Sequence, residues 1–134
     1  MKGGKFLPRP TAETAAWWAA CQDNELLVQQ CSDCGHYQFY PRVICTKCMS
    51  NELEWVKSTG RGEILTFTIV RRAVSEAYAA DVPYVIALVK LAEGPTMMSI
   101  IEGCNPEDLK IGMPVEVFFD QWSETISMPK FKPV

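Results

Sequence analysis

The hydrophobic pattern changes its period along the chain. After a leader bounded by Pro8 and Pro10, Ala12 to Gln22 is a run of good helix formers around Trp17 and Trp18. Thr11 stands where an N-cap belongs, and Glu13 falls in the first turn, where the helix dipole favours a negative charge. Neighbouring residues on a helix point about 100° apart, so the two indoles do not share a face. One is expected in the core, and the other faces either a partner or the chain's own second module. Leu26 to Gln30 then reads as a short strand delivering the chain into Cys31.

Beyond Trp55 the period shortens to that of strands. Ser58-Thr59-Gly60-Arg61-Gly62 reads as a flexible joint. Glu63 to Arg72 alternates, with Leu65, Phe67 and Ile69 on one face and Thr66 and Thr68 on the other. Tyr84 to Leu91 is apolar almost throughout, the pattern of a strand buried on both faces. Glu93-Gly94-Pro95 turns the chain into a third strand, Thr96 to Glu102. Asn105-Pro106-Glu107-Asp108-Leu109 offers an N-cap, a proline at the first helical position and acids in the first turn, which predicts a short helix. Val115 to Phe119 and Thr125 to Met128 supply two more strands. Three strands, a short helix and two strands is the order of the five-stranded OB-fold barrel, whose helix lies between strands 3 and 4. The expectation is a mainly β chain: an N-terminal leader and helix over 1–25, a cysteine module over 26–57 and an OB-fold over 58–134.

Composition narrows the classes. A chain of 134 residues, 48% hydrophobic and 22% charged, is ordinary globular usage and no apolar run reaches the roughly 20 residues of a spanning helix. Met1 to Lys5 begins like a secretory leader, but Leu7-Pro8-Arg9-Pro10 interrupts any apolar region behind it, so a cytoplasmic location with no membrane partner is expected. The net charge is −3, with acidic and basic groups balanced along the chain. A nucleic-acid binder concentrates lysine and arginine to displace counterions from phosphates, and nothing in the order of residues does so.

Six cysteines are present, and four form two close pairs: Cys31-x-x-Cys34, ten residues, Cys45-x-x-Cys48. Two residues between cysteines let one tight turn aim both sulfurs and nearby N–H groups at an ion, and two such knuckles close a tetrahedron of thiolates. Without an evident secretory leader, the pairs read as metal ligands rather than disulfides. Four thiolates leave no position for water, so the expected site is structural Zn2+. Metal binding of order ~10–16 kcal/mol, known for structural zinc peptides, is what folds so short a segment. Tetrahedral sulfur also accepts iron, the rubredoxin alternative; Cys34-Gly35 fits that pattern, whereas Met49 stands where a glycine would follow Cys48.

Little else carries chemistry. His36, the one histidine, is read as a solvated neighbour of the knuckle or a support to it, and Cys21 and Cys104 as buried inert thiols. No phosphate-cradling glycine loop or nucleophile elbow occurs, so no catalytic residue is assigned and the chain is not expected to be an enzyme on its own. Tyr37, Phe39 and Tyr40, followed by Pro41-Arg42, suit either an interface with stacked rings or a small core for the ribbon. Residues 73–83 form a long connection of small apolar groups, a candidate contact surface.

Pro10-Thr11 before Trp17-Trp18, then Gln30-Cys31-Ser32-Asp33-Cys34-Gly35, Tyr40-Pro41-Arg42, Cys45-x-x-Cys48, Glu54-Trp55, Ser58 to Gly62, Pro83-Tyr84 and Ile111 to Val115 occur in this order. The layout resembles a family, first described only as a domain of unknown function, that joins an N-terminal helix, a rubredoxin-like zinc ribbon and a C-terminal OB-fold. The resemblance implies a non-catalytic accessory subunit of a thiolase-superfamily complex. Such a subunit helps form the acyl-CoA or product pocket while the partner supplies the catalytic groups. It leaves the CoA-contacting residues unknown, and a CoA thioester would be shared with the partner. Two other readings compete with it, a single-stranded nucleic-acid module and a rubredoxin-like electron carrier.

Overall fold

In the computed structural model, which describes residues 4–134, the chain builds one helix, a small three-stranded sheet and a closed barrel. Met1 to Gly3, the start of the basic leader, lie outside the described residues. Helix α1 spans Ala15–Gln22. Strands β1 (Leu27–Cys31), β2 (Tyr37–Gln38) and β3 (Leu53–Lys57) form an antiparallel sheet in the order β2-β1-β3. Strands β4 (Arg61–Val70), β5 (Tyr84–Leu91), β6 (Thr96–Ile101), β7 (Pro114–Gln121) and β8 (Ser127–Pro133) close as β4-β5-β6-β8-β7. Closure between β6 and β8 is parallel and brief, through Ile101 and Phe131, with the Glu102 N–H donating to the Phe131 carbonyl at 2.9 Å. That is the OB-fold, reached in the strand order expected.

Several local expectations shift. The helix starts three residues late: Thr14 Oγ1 accepts from the Thr11 N–H (2.9 Å) and meets Thr11 Oγ1 (3.1 Å), so neither threonine side chain caps a helix N–H, and Glu13 lies in the preceding turn. The helix between the third and fourth barrel strands is a single 3-10 turn, Pro106–Asp108, capped by Asn105 Oδ1 accepting from the Glu107 N–H at 3.0 Å. In β4 a bulge between Ile64 and Thr66 breaks the alternation; Ile64 turns inward and Leu65 is left exposed. Beyond Tyr84, strand β5 is fully buried on one face only. Val85, Ala87, Val89 and Leu91 enter the core, while Ile86 and Leu88 are half-covered on the outside.

The residues read as a flexible joint are fixed. Ser58 is buried; its N–H donates to the Leu26 carbonyl (2.8 Å) and its hydroxyl to Glu93 Oε1 (2.7 Å). The other carboxylate oxygen of Glu93 accepts from the Thr59 N–H at 3.0 Å. Gly60 has φ +78° with Val117 Cγ1 only 2.6 Å from where a Cβ would stand, so glycine is needed for close approach as well as for the turn. One apolar core runs across the joint. Trp17, Cys21, Leu26, Val28 and Phe39 belong to the same buried cluster as Ile64, Val85, Val89, Met97, Ile101, Val115 and Phe131. No helix among the described residues is long and apolar enough to cross a membrane.

Candidate metal centre

The four predicted cysteines come together. Their sulfurs all lie within 4.8 Å of one another, with the nearest contacts across the two knuckles: Cys31 to Cys48 and Cys34 to Cys45, each 3.6 Å. Zinc–sulfur bonds of ~2.3 Å in a tetrahedron place sulfurs about 3.8 Å apart, so the spacing suits one ion. It is far beyond a disulfide bond of ~2.05 Å, and all four thiols are free.

The two knuckles repeat one backbone design. In the first, the Cys31 N–H donates to the His36 carbonyl (2.9 Å) and the Gly35 N–H to the Cys31 carbonyl (2.8 Å). In the second, the Cys45 N–H donates to the Ser50 carbonyl (2.7 Å) and the Met49 N–H to the Cys45 carbonyl (2.9 Å). The residue after each second cysteine is left-handed: Gly35 at φ +77° and Met49 at φ +66°. Glycine takes that conformation freely, whereas methionine is strained there, so the second knuckle keeps the turn despite its sequence. Each first cysteine, Cys31 and Cys45, is buried, and each second one is exposed. The Ser50 hydroxyl donates to Asp33, joining the knuckles side to side.

The electrostatics suit a cation. The Cys34 amide, against opposition from burial, leads in pulling the Cys31 thiol below its ordinary range, helped by the Asp33 amide. The Cys48 and Lys47 amides bring Cys45 down to about 7 despite burial, with the Lys47 N–H 3.3 Å from its sulfur. At Cys48 the Ser50 amide also favours the thiolate, yet burial and the three neighbouring sulfurs outweigh it and raise the thiol to about 12. Amide donors therefore favour ionised sulfur at three positions and prevail at two, Cys31 and Cys45, while mutual repulsion resists ionising all four. A dication among them removes that repulsion, which is the chemistry a four-thiolate donor set provides.

Two buried glutamines, missed in the sequence, support the second knuckle. Gln29 and Gln38 face each other across β1 and β2, each 6% exposed, with Gln38 Nε2 donating to Gln29 Oε1 at 2.8 Å. No local pattern announces them, because a glutamine in a short strand is as readily solvated.

The other singled-out residues divide. His36 Nε2 lies 3.3 Å from Thr46 Oγ1, beside the second knuckle. Cys21 is fully buried, and burial raises its thiol to about 12, as an inert core thiol requires. Cys104 is exposed rather than buried, because the turn before Pro106 lies on the surface. Desolvation and then the Asp108 carboxylate raise its thiol, so the helix start does not activate it. Phe39 is core, 5.7 Å edge-on to Trp17. Tyr40 is half-exposed and accepts from the Met98 N–H at 3.3 Å, tying the ribbon to β6. Trp17 is the buried indole, its Nε1 donating to the Leu27 carbonyl at 3.0 Å, and Trp18 packs edge-on to it at 4.7 Å. The 73–83 connection holds a 3-10 turn, Glu76–Tyr78, and is fastened by Lys5 through the Ala77 carbonyl (3.2 Å) and Asp81 (2.9 Å).

A cavity of about 420 Å³ opens at one end of the barrel, lined among others by Lys5, Tyr84, Glu102, Asp120, Trp122 and Lys130. Lys130 is buried between Glu102 (2.6 Å) and Asp120 (2.9 Å). An apolar cleft of about 240 Å³ shares its Ile100, Trp122 and Lys130 walls, and adds Trp17, Phe39, Met97, Met98 and Met128.

Residues 18–54 match the family described as ChsH2, rubredoxin-like zinc ribbon domain, and residues 55–120 match ChsH2, C-terminal OB-fold domain. A DUF35 domain-containing scaffold protein of Methanocaldococcus jannaschii is 35% identical over 91% of this chain and 86% of its own. A probable enoyl-CoA hydratase alpha subunit of Thermomonospora curvata is 29% identical over 94% of this chain, which spans only 40% of that subunit. Among solved structures, the matched chain of the Ltp2-ChsH2(DUF35) aldolase has a TM-score of 0.84 at 28% identity, over 95% of this chain and 98% of that one.

Proposed function

The chain belongs to the DUF35 family, and from that premise we propose that it is a non-catalytic accessory subunit of a thiolase-superfamily acyl-CoA enzyme complex. Relatives named as scaffold proteins or enzyme subunits support the coarser part, an accessory subunit of an acyl-CoA enzyme complex. The thiolase-like partner, which would supply the catalytic residues for thiolysis, condensation or retro-aldol cleavage, is the finer part of this reading. The observation that carries it is the end-to-end likeness to the matched chain of the Ltp2-ChsH2(DUF35) aldolase.

In this reading the chain is built as leader and helix (1–25), ribbon (26–57) and OB-fold (58–134), and works in the cytoplasm. Cys31, Cys34, Cys45 and Cys48 hold one structural Zn2+, which supplies charge to fix two turns that have little apolar core of their own. The barrel offers the partner an outward face on which Ile86, Leu88 and Ile100 are half-covered and Met98 is exposed. The polar cavity of the barrel and the apolar cleft beside it suit a thioester that is apolar at one end and rich in hydrogen-bonding groups along its arm.

A tagged pull-down from the native host, with co-purifying chains identified by mass, tests the proposal. Near-stoichiometric capture of a thiolase-like protein is expected. Recovery of the chain alone, or turnover of an acyl-CoA by the purified chain without a partner, would overturn it. Colourless protein with one zinc per chain is expected in the same preparation; red, iron-bearing protein would replace zinc in the assignment.

A further inference from the structure

Segment 41–46, which carries Cys45, has no regular structure and makes no ladder with β1 or β2. Side chains hold it instead. Gln29 Oε1 accepts from the Arg42 N–H (3.0 Å), and Gln29 Nε2 donates to the Arg42 carbonyl (3.0 Å). Gln38 Oε1 accepts from the Thr46 N–H (3.0 Å) and the Thr46 hydroxyl (3.1 Å), while Gln38 Nε2 reaches the Ile44 carbonyl at 3.4 Å. These bonds reach residues 44 and 46, on either side of Cys45. The mutual Gln38-to-Gln29 bond of 2.8 Å completes the pair and fixes which way both amides point, since either flip sets donor against donor or acceptor against acceptor.

We infer that Gln29 and Gln38 are positioning residues for the metal centre, setting how tightly and how slowly the second knuckle exchanges its ion. The inference rests on the reading of the four cysteines as a metal site. Two buried amides do here what a ladder or an apolar core does elsewhere. They hold residues 42–46 against the sheet so that the Cys45 sulfur already lies 3.6 Å from that of Cys34. A glutamine carries both a carbonyl acceptor and an NH2 donor, so one side chain serves the N–H and C=O groups of the same irregular segment. An apolar side chain of the same length would fill the volume and leave those partly buried groups without their partner.

The test uses the full chain loaded with Co2+, whose thiolate charge-transfer and d–d bands report tetrahedral sulfur, followed by release to a chromophoric chelator. Gln38→Met is expected to bind the metal about 10- to 100-fold more weakly than wild type, the usual loss of affinity when a group behind a metal ligand is removed, and to release it faster to the chelator. Gln29→Met is expected to follow, and Thr46→Val, which removes one bond to Gln38, to show a smaller change in the same direction. Shifted cobalt bands in these variants, with the unfolding midpoint of the barrel held, separate positioning from general loss of stability. If Gln38→Met does not fold, Gln29→Met and Thr46→Val decide the matter. Release and bands identical to wild type in the variants would overturn the positioning role while leaving the metal site standing. A wild-type chain that takes up no cobalt would remove the metal reading and this inference together.

Discussion

The ribbon and the barrel occupy one chain but are stabilised in opposite ways. At the knuckles the apolar side chains lie outside, Val43 64% exposed and Met49 75%. The ribbon's buried apolar groups, Val28 and Phe39, belong to the core shared with the barrel, and beside the sulfurs the buried groups are Cys31, Cys45, Gln29 and Gln38. In the barrel the order is the usual one, with Ile64, Val85, Val89, Leu91, Val115 and Phe131 almost fully buried. Burial of such side chains contributes roughly 1.5–3 kcal/mol each, a source the knuckles lack. The ribbon compensates with polar specificity: paired amides, left-handed turns and four sulfurs placed for an ion. A region built this way depends on a few bonds at fixed positions, whereas the barrel spreads its stability over many replaceable contacts.

The contrast breaks most severely at the sulfurs. Cys45→Ser is expected to abolish stoichiometric metal binding and leave residues 31–50 open to protease, while the barrel keeps its cooperative unfolding. Native mass measurement and limited proteolysis check this together. A Cys45→Ser chain with full metal content and a resistant ribbon would show that the two regions are not differently stabilised after all.

The reciprocal change lies in the barrel. Phe131 is fully buried where β6 and β8 close. Phe131→Ala is expected to cost about 3–5 kcal/mol in urea unfolding through lost contacts and the cavity left behind. Metal content below the lowered midpoint is expected to stay at the wild-type value. The joint gives a smaller effect. Gly60→Ala places a methyl 2.6 Å from Val117 Cγ1 at φ +78°, expected to cost about 1–3 kcal/mol. A loss near zero would mean that Ser58 to Gly62 is the flexible linker its composition suggests.

The sequence made these regions legible to different depths. The gathering of Cys31, Cys34, Cys45 and Cys48 is readable because paired knuckles carry a fixed spacing whatever surrounds them. The barrel is readable as an order of strands, since apolar residues alternate along the sequence in Glu63 to Arg72 and Val115 to Phe119 even where a bulge later shifts the register. Its details are not, because they depend on partners distant in sequence. The bulge that turns Leu65 outward answers to β5 across the sheet, and nothing near residue 65 signals it. Glu93 fixes Ser58 and Thr59 from 35 and 34 residues away, so a Gly- and Ser-rich stretch looks loose while its restraint lies elsewhere. Gln29 and Gln38 were invisible for the same reason. A buried amide is recognised by the groups that satisfy it, and here those belong to an irregular segment.

The smallest expected effect separates the regions by pH. With the proposed metal in place, the ribbon is expected to fail on the acid side, since its ligands must be thiolates and protons compete with the metal for them. The barrel carries a group that fails on the alkaline side. Burial alone would lower Lys130, but Glu102 and Asp120 outweigh it and raise its ammonium above the ordinary lysine range. A folded-state pKa above the unfolded one means that the folded chain holds this proton more tightly. The stabilisation is therefore complete below the unfolded lysine value of roughly 10.4 and is lost as pH rises through the higher folded value. Urea unfolding of the metal-loaded chain between about pH 8 and 11.5, for wild type and Lys130→Met, isolates this contribution from the other titrating groups. Wild type is expected to lose its advantage over the variant progressively above about pH 10.4, with the difference between them constant below. A difference that is flat across the whole range would mean that the two carboxylates do not hold the Lys130 proton. The charged cluster around the buried Lys130 would then contribute shape to the cavity wall rather than electrostatic stability.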